Sequence, residues 1–258
     1  MKVITAALGP GNDLFVGGAF QSLVWSGTSF EKIYNVARYA AAADAWLPLV
    51  RGGGGGLTCT WCVPSVLALA YDAAGGALYL GGKFDSVNYA PLSVGLAAWA
   101  NGTGLRAFPG GGLALGAPGA PATEGVATAL VWDPGTASLF VAGVFSQVGG
   151  QACPTLARWR GGAWTCLHAP AYAFDLVTSM VFLEGYLYVA GMPSLTSSWA
   201  NATLPYMVAR YNEVLVDTDT GPSPPGGNYS ASSYGHQRRR LRSGAAAPGG
   251  GGEPAPAP

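Results

Sequence analysis

Charge is scarce in this chain. Charged residues make up 10% of its 258 positions, and thirteen basic residues balance thirteen acidic ones. A neutral chain has no long-range field to draw nucleic acid or an anionic membrane surface, so no nucleic-acid partner is expected. Long apolar runs are missing too. Nothing approaches the roughly 20 residues that span a bilayer, so the sequence contains no transmembrane segment. The opening stretch Met1–Gly9 is apolar but short, and Pro10–Asp13 interrupts it. A secretory core of about 7–15 apolar residues with a cleavage site does not fit there, and the stretch reads as a folded strand. Helical periodicity is nowhere sustained. Gly-x-Ser-x-Gly elbows, phosphate loops and paired-carboxylate signatures are all lacking, which leaves no catalytic and no cofactor-binding residue to name.

Histidine and cysteine are few. His168 and His236 are the only histidines, and the cysteines are Cys59, Cys62, Cys153 and Cys166. Cys59 and Cys62 have CxxC spacing, but zinc needs two further ligands and the remaining candidates are scattered without metal spacing. A redox site of the thioredoxin kind needs a βαβ setting, which the sequence lacks. No metal site is expected. Structural thiols or disulfides are the simpler reading.

What the chain does have is apolar bulk and turn chemistry: half of its residues are hydrophobic, with 40 Gly and 19 Pro. The runs Gly52–Gly56, Gly110–Gly112 and Gly249–Gly252 read as loops or linkers. A phrase recurs four times: Leu14-Phe-Val-Gly-Gly-Ala-Phe20, Leu78-Tyr-Leu-Gly-Gly-Lys-Phe84, Leu139-Phe-Val-Ala-Gly-Val-Phe145 and Leu187-Tyr-Val-Ala-Gly-Met-Pro193, at spacings of 64, 61 and 48 residues. An apolar run precedes each copy, beginning at Val3, Val66, Val126 and Val177, and a turn rich in Gly, Pro, Asn or Asp separates the two. After each copy come Val36–Tyr39, Leu96–Trp99, Leu156–Trp159 or Val208–Tyr211. A fourth apolar element follows at Ala45–Leu49 and Ala163–Leu167.

Four short antiparallel strands repeated at this interval make the blade of a β-propeller. A lone four-stranded sheet cannot cover both of its faces, but blades around an axis cover each other. The sequence therefore predicts an all-β propeller of about four blades over residues 1–216, with units near 1–50, 63–108, 126–167 and 177–216. The Gly after each second strand marks close backbone approach. Tyr39, Trp99, Trp159 and Tyr211 read as packing between blades. The candidate final strand Val214–Val216 leaves ring closure open: an incomplete ring of a larger propeller is expected, with a complete four-bladed ring the alternative. Cys153 and Cys166 fall in neighbouring elements of the third unit and form the first candidate disulfide, with Cys59–Cys62 the second and buried free thiols the alternative. From Asp217 the composition turns to Gly, Pro, Ser and Ala, which bury too little apolar area to stay ordered. In that tail Arg238–Arg242 is a basic cluster read as a solvated run.

The Gly-Gly phrase followed by Trp or Tyr resembles kelch repeats. With its Ala-Arg-Trp partner it is similar to the propeller repeats of the fungal cortical polarity-marker family and of related secreted proteins. The resemblance covers about residues 1–216 and implies a propeller in a surface or extracellular setting. Three sequons, at Asn101, Asn201 and Asn228, lean the same way, since about one would arise by chance. The expectation is a non-catalytic binding or scaffold module at the cell surface or wall, meeting a protein or glycan partner through rim loops. Two alternatives stand beside it: a fragment of a copper oxidase resembling galactose oxidase, and an intracellular kelch-type adaptor.

Overall fold

The computed structural model describes residues 2–25, 30–49, 56–88, 94–116, 123–167, 174–193 and 207–212. The chain divides into two units, 1–219 and 220–258, and every described residue belongs to the first. The Gly249–Gly252 run, the Arg238–Arg242 cluster, Val214–Val216 and most of the Gly52–Gly56 run lie outside the described residues.

Successive sheets of antiparallel strands follow the repeat, and the protein is an all-β propeller. The first sheet runs Lys2–Leu8, Leu14–Trp25, Phe30–Ala40, Ala45–Pro48 in spatial as well as chain order. The second is built from Ser65–Asp72, Ala77–Lys83, Leu96–Ala100 and Gly104–Ala107, and the third from Val126–Asp133, Ser138–Val144, Leu156–Arg160 and Ala163–Cys166. In the fourth, Phe174–Leu183, Tyr186–Pro193 and Met207–Asn212 are described. Each sheet is a meander, so each strand pairs with its chain neighbour inside one blade. Within the apolar opening stretch, Lys2–Leu8 forms the first strand of the first blade, as its place in the repeat implied.

The inner strands Lys2–Leu8, Ser65–Asp72, Val126–Asp133 and Phe174–Leu183 pack one against the next around a common axis. Three apolar cores lie between the four blades. Phe15, Val66, Leu78, Leu80 and Trp99 fill the first, Tyr79, Leu130, Leu139, Val141 and Phe108 the second, and Phe140, Val177, Leu187 and Val189 the third. This explains the sequence's apolar excess, because both faces of an inner blade are buried and its strands need no polar alternation.

One aromatic device joins each blade to the next. The phrase aromatic Phe15 reaches from the first blade to Tyr71 and Trp99 of the second, at ring separations of 5.7 and 5.5 Å. Tyr79 does the same to Trp132 and Trp159 of the third, at 5.4 and 6.3 Å. Phe140 stacks on Phe182 of the fourth at 5.7 Å. The Trp99 indole also donates to the Leu49 carbonyl at 3.2 Å, tying it to the loop that leaves the first blade. Arg38 adds a polar seam. Its Nε donates to Asp13 Oδ2 at 2.7 Å while its guanidinium lies 6.0 Å from the Trp99 ring centre.

The last glycine of each phrase has a sharper reason than the sequence supplied. It lies within the second strand rather than after it, opposite a β-bulge that recurs in all four inner strands, between Val3 and Thr5, Val66 and Ala68, Ala127 and Ala129, and Val177 and Ser179. A Cβ on Gly18, Gly82, Gly143 or Gly191 would fall on the carbonyl oxygen of Lys2, Ser65, Val126 or Leu176. The bulge bends the inner strand and strengthens its twist, and only a residue without a side chain leaves room for it.

Candidate interaction surface

Blades two and three carry extra material at one end. The connection into the second blade contains Leu57–Thr58, which pairs with Ser86–Val87 from the loop between that blade's second and third strands. The connection into the third blade contributes Leu113–Leu115 and Thr123–Glu124, which join Gln147–Val148 and Gln151–Ala152 in a four-stranded patch. Blade-to-blade connections and strand-two-to-three loops therefore gather into small sheets outside the blades. The Gly110–Gly112 run belongs to this layer and is a packed loop. Trp164 Nε1 donates to the Gly110 carbonyl at 2.6 Å, and Gly112 lies against Val94 backbone, where a Cβ would come within 2.7 Å.

The segment from Cys59 to Val63 projects from the first of these patches. Asp85 N–H donates to the Thr58 carbonyl at 2.9 Å, and the Asp85 carboxylate accepts from Thr60 N–H at 2.5 Å. Asn88 and Gly56 exchange hydrogen bonds at 2.9 Å each. At the far end, the Pro64 carbonyl accepts from Asn35 Nδ2. Within the segment Cys59 is bonded to Cys62, with their Cα atoms 5.2 Å apart. The loop is clamped at both ends and cross-linked in the middle, yet its apolar side chains face water. Trp61 is 90% exposed and Val63 75%.

Cys59 Sγ lies 3.7 and 3.6 Å from the two carboxylate oxygens of Glu124. Cys59, Cys62 and Glu124 are the one cluster of three metal-capable side chains among the described residues. With the two sulfurs bonded to each other neither is a thiolate, so the cluster offers a cation only a carboxylate. Cys153 and Cys166 are also bonded, with Cα atoms 5.3 Å apart, where Leu156–Arg160 pairs with Ala163–Cys166 in the third blade. Asn101 is exposed in the turn between Leu96–Ala100 and Gly104–Ala107. Asn201, Asn228, His168 and His236 lie outside the described residues.

The axis holds a cavity of about 170 Å³ lined by the four inner strands, with Thr5, Leu67, Thr128, Thr178 and Ser179 among its walls. No titratable side chain lines it. Its hydroxyls are partly engaged: Thr128 donates to the carbonyls of Val177 and, at 3.3 Å, Ala142, and Thr178 to that of Ala190 at 3.2 Å. Such a lining can hold water, and its polar side chains are hydroxyls, two of which serve the backbone.

Trp61 is the exposed aromatic that sequence reasoning passed over. Attention went to the cysteines on either side, and a Trp inside CxxC carries no signal of its own exposure. Of the proposed packing aromatics, Trp99 and Trp159 do pack between blades, while Tyr39 meets Trp46 of its own blade in a tilted contact at 5.4 Å. The side chain of Tyr211 lies outside the described residues.

No protein-family model matches the chain, and no curated protein matches it. Among solved structures, those of U3-55K and of the RRP9 WD40 repeats are similar to it over 74% of this chain. Their identities are 10% and 11%, and their TM-scores 0.40 and 0.41. The chain spans 46% of the length of each.

Proposed function

We propose that this chain is a non-catalytic binding or scaffold module of the cell surface or wall, and that its decorated loop face meets a protein or glycan partner through Trp61. One observation carries the reading: a Trp that is 90% exposed on a loop held by a cross-link and by backbone hydrogen bonds at both ends. Scattered exposed apolar side chains are ordinary, but a large aromatic held rigid in water is different. Covering an apolar side chain of this kind gains roughly 1.5–3 kcal/mol. The clamped loop has already lost the freedom that binding would otherwise remove. Tryptophan anchors in rigid settings dominate binding energy where they occur. The two disulfides and the exposed Asn101 sequon support an oxidising, glycosylating compartment.

Trp61→Ala tests the anchor. Intact and substituted chains are compared on a glycan array and in affinity capture from a cell-surface fraction, with thermal unfolding as the control. The expected outcome is unfolding within a degree or two of the parent and a loss of at least about thirtyfold in affinity for whichever ligand the parent retains. Equal retention by both chains sinks the anchor. A full-length protein that stays in a reducing compartment with unglycosylated Asn101 sinks the location.

A further inference from the structure

Among the described residues, the first and fourth blades each bury one face and leave the other open, and the repeat says what each open face is shaped to meet. The registers align the positions. Leu8 lies opposite Leu14 as Tyr71 lies opposite Leu78, Trp132 opposite Leu139 and Phe182 opposite Leu187. Leu8 therefore holds the place where three other blades receive the aromatic of the blade before. Tyr39 stands where Trp99 and Trp159 complete that socket, and Trp46 stands where Leu105 does. On this face Leu8 is 74% exposed, Val3 57% and Trp46 40%, whereas its counterpart Val66 is wholly buried against the first blade.

The fourth blade presents the opposite half. Tyr188 occupies the phrase position of Phe15, Tyr79 and Phe140, and it lies opposite Val181 in the sheet. The matching Phe140 and Val131 are packed into the third core, but Val181 is 53% exposed. Among the described residues, the fourth blade makes no packing against the first comparable to that between successive blades. One chain thus carries an empty socket at one end and an unused plug at the other, built to the same register.

We infer that a second copy of this chain is the occupant: Tyr188 and Val181 of each copy pack on Leu8, Tyr39 and Trp46 of the other. With both contacts made at once the pair is two-fold symmetric, each residue of the plug meeting the partner's socket and the reverse, so the arrangement is isologous and closed. Two copies of four blades make eight, inside the range of about 4–8 blades that propellers adopt. The new interface continues the series of three that already joins the blades. It is independent of the Trp61 reading, which concerns the loop face.

The test uses the chain of this sequence at micromolar concentration in sedimentation equilibrium, with two exposed-site variants, Leu8→Glu and Val181→Glu. The parent is expected at twice the chain mass. Each variant alone is expected as a monomer with unchanged near-ultraviolet dichroism, because each spoils both contacts of the ring. Mixing the variants restores one intact contact, Tyr188 and Val181 of the Leu8→Glu chain on Leu8 of the Val181→Glu chain, and brings back a two-chain species. A monomeric parent, a polymer that grows with concentration, or a pair that survives both substitutions overturns the inference.

Discussion

Gly143→Ala puts the account of the repeated glycine at risk. The added methyl would occupy the space of the Val126 carbonyl oxygen and press on Ala127 Cα, at 3.0 Å. Both are backbone atoms of the inner strand, so no side chain can rotate away. The sheet must either open at the bulge or shift the third blade's inner strand, which is packed on both the second and the fourth blades. Overpacking a rigid site costs typically 1–3 kcal/mol, and a backbone clash belongs at the upper end, about 3 kcal/mol. At roughly 2–4 °C per kcal/mol for a domain of this size, unfolding should come about 6–12 °C earlier. Gly135 provides the control from the same blade. It has no positive φ, and its nearest obstacle is Asp133 Oδ1 at 3.3 Å, a side chain able to give. Gly135→Ala should therefore change stability by under about 1 kcal/mol, with a gain where the unfolded chain loses freedom. Urea unfolding followed by tryptophan fluorescence compares the two. Equal effects from the two substitutions, or a Gly143→Ala change below about 0.5 kcal/mol, would refute the bulge argument.

Phe140→Ala removes the plug between the third and fourth blades and should cost about 3–5 kcal/mol in the same assay. Reducing Cys153–Cys166, which closes a ring of about fourteen residues, should lower stability by roughly 3 kcal/mol, while the shorter Cys59–Cys62 ring should contribute about 2; serine variants read by calorimetry separate the two. Burial raises the Tyr79 phenol above its ordinary value, so its neutral form contributes stability below the unfolded-state value near 10. That contribution is lost as pH rises through the folded value, and Tyr79→Phe should resist alkaline unfolding better than the parent, as pH-jump fluorescence would show.

The fold was legible because it repeats. Gly18, Gly82, Gly143 and Gly191 could be aligned without knowing what they faced, and Trp99 and Trp159 could be assigned to packing between blades. The cause of the glycine stayed hidden, since a bulge is a relation between two strands and leaves no letter of its own. A second repeated feature was illegible for the same kind of reason. Asn35, Gly95 and Thr155 all take left-handed conformations, Gly95 and Thr155 just before the third strand and Asn35 within it at a register shift, at φ of 62°, 71° and 68°. Gly95 and Thr155 place their carbonyls to accept from the N–H of Gly82 and Gly143 at 3.1 and 3.0 Å, while Asn35 instead donates from its side chain to the Gly18 carbonyl. Three different residue types meet one backbone demand, so no motif is visible. The loop face was legible only as a location. The small sheets that clamp Cys59–Val63 are two-residue pairings, below the length at which alternation carries a signal.

The meander order of the blades bears on how the protein is made. Every strand in a blade pairs with the strand of that blade just before or just after it, so a blade needs nothing synthesised later to complete its hydrogen bonding. A ribosome working at about 5–20 residues per second releases one such unit every few seconds, and short loop closures cost little time beside that. The nascent chain can therefore stack its sheets one at a time from the amino terminus, each waiting with a bare apolar side for the next to arrive.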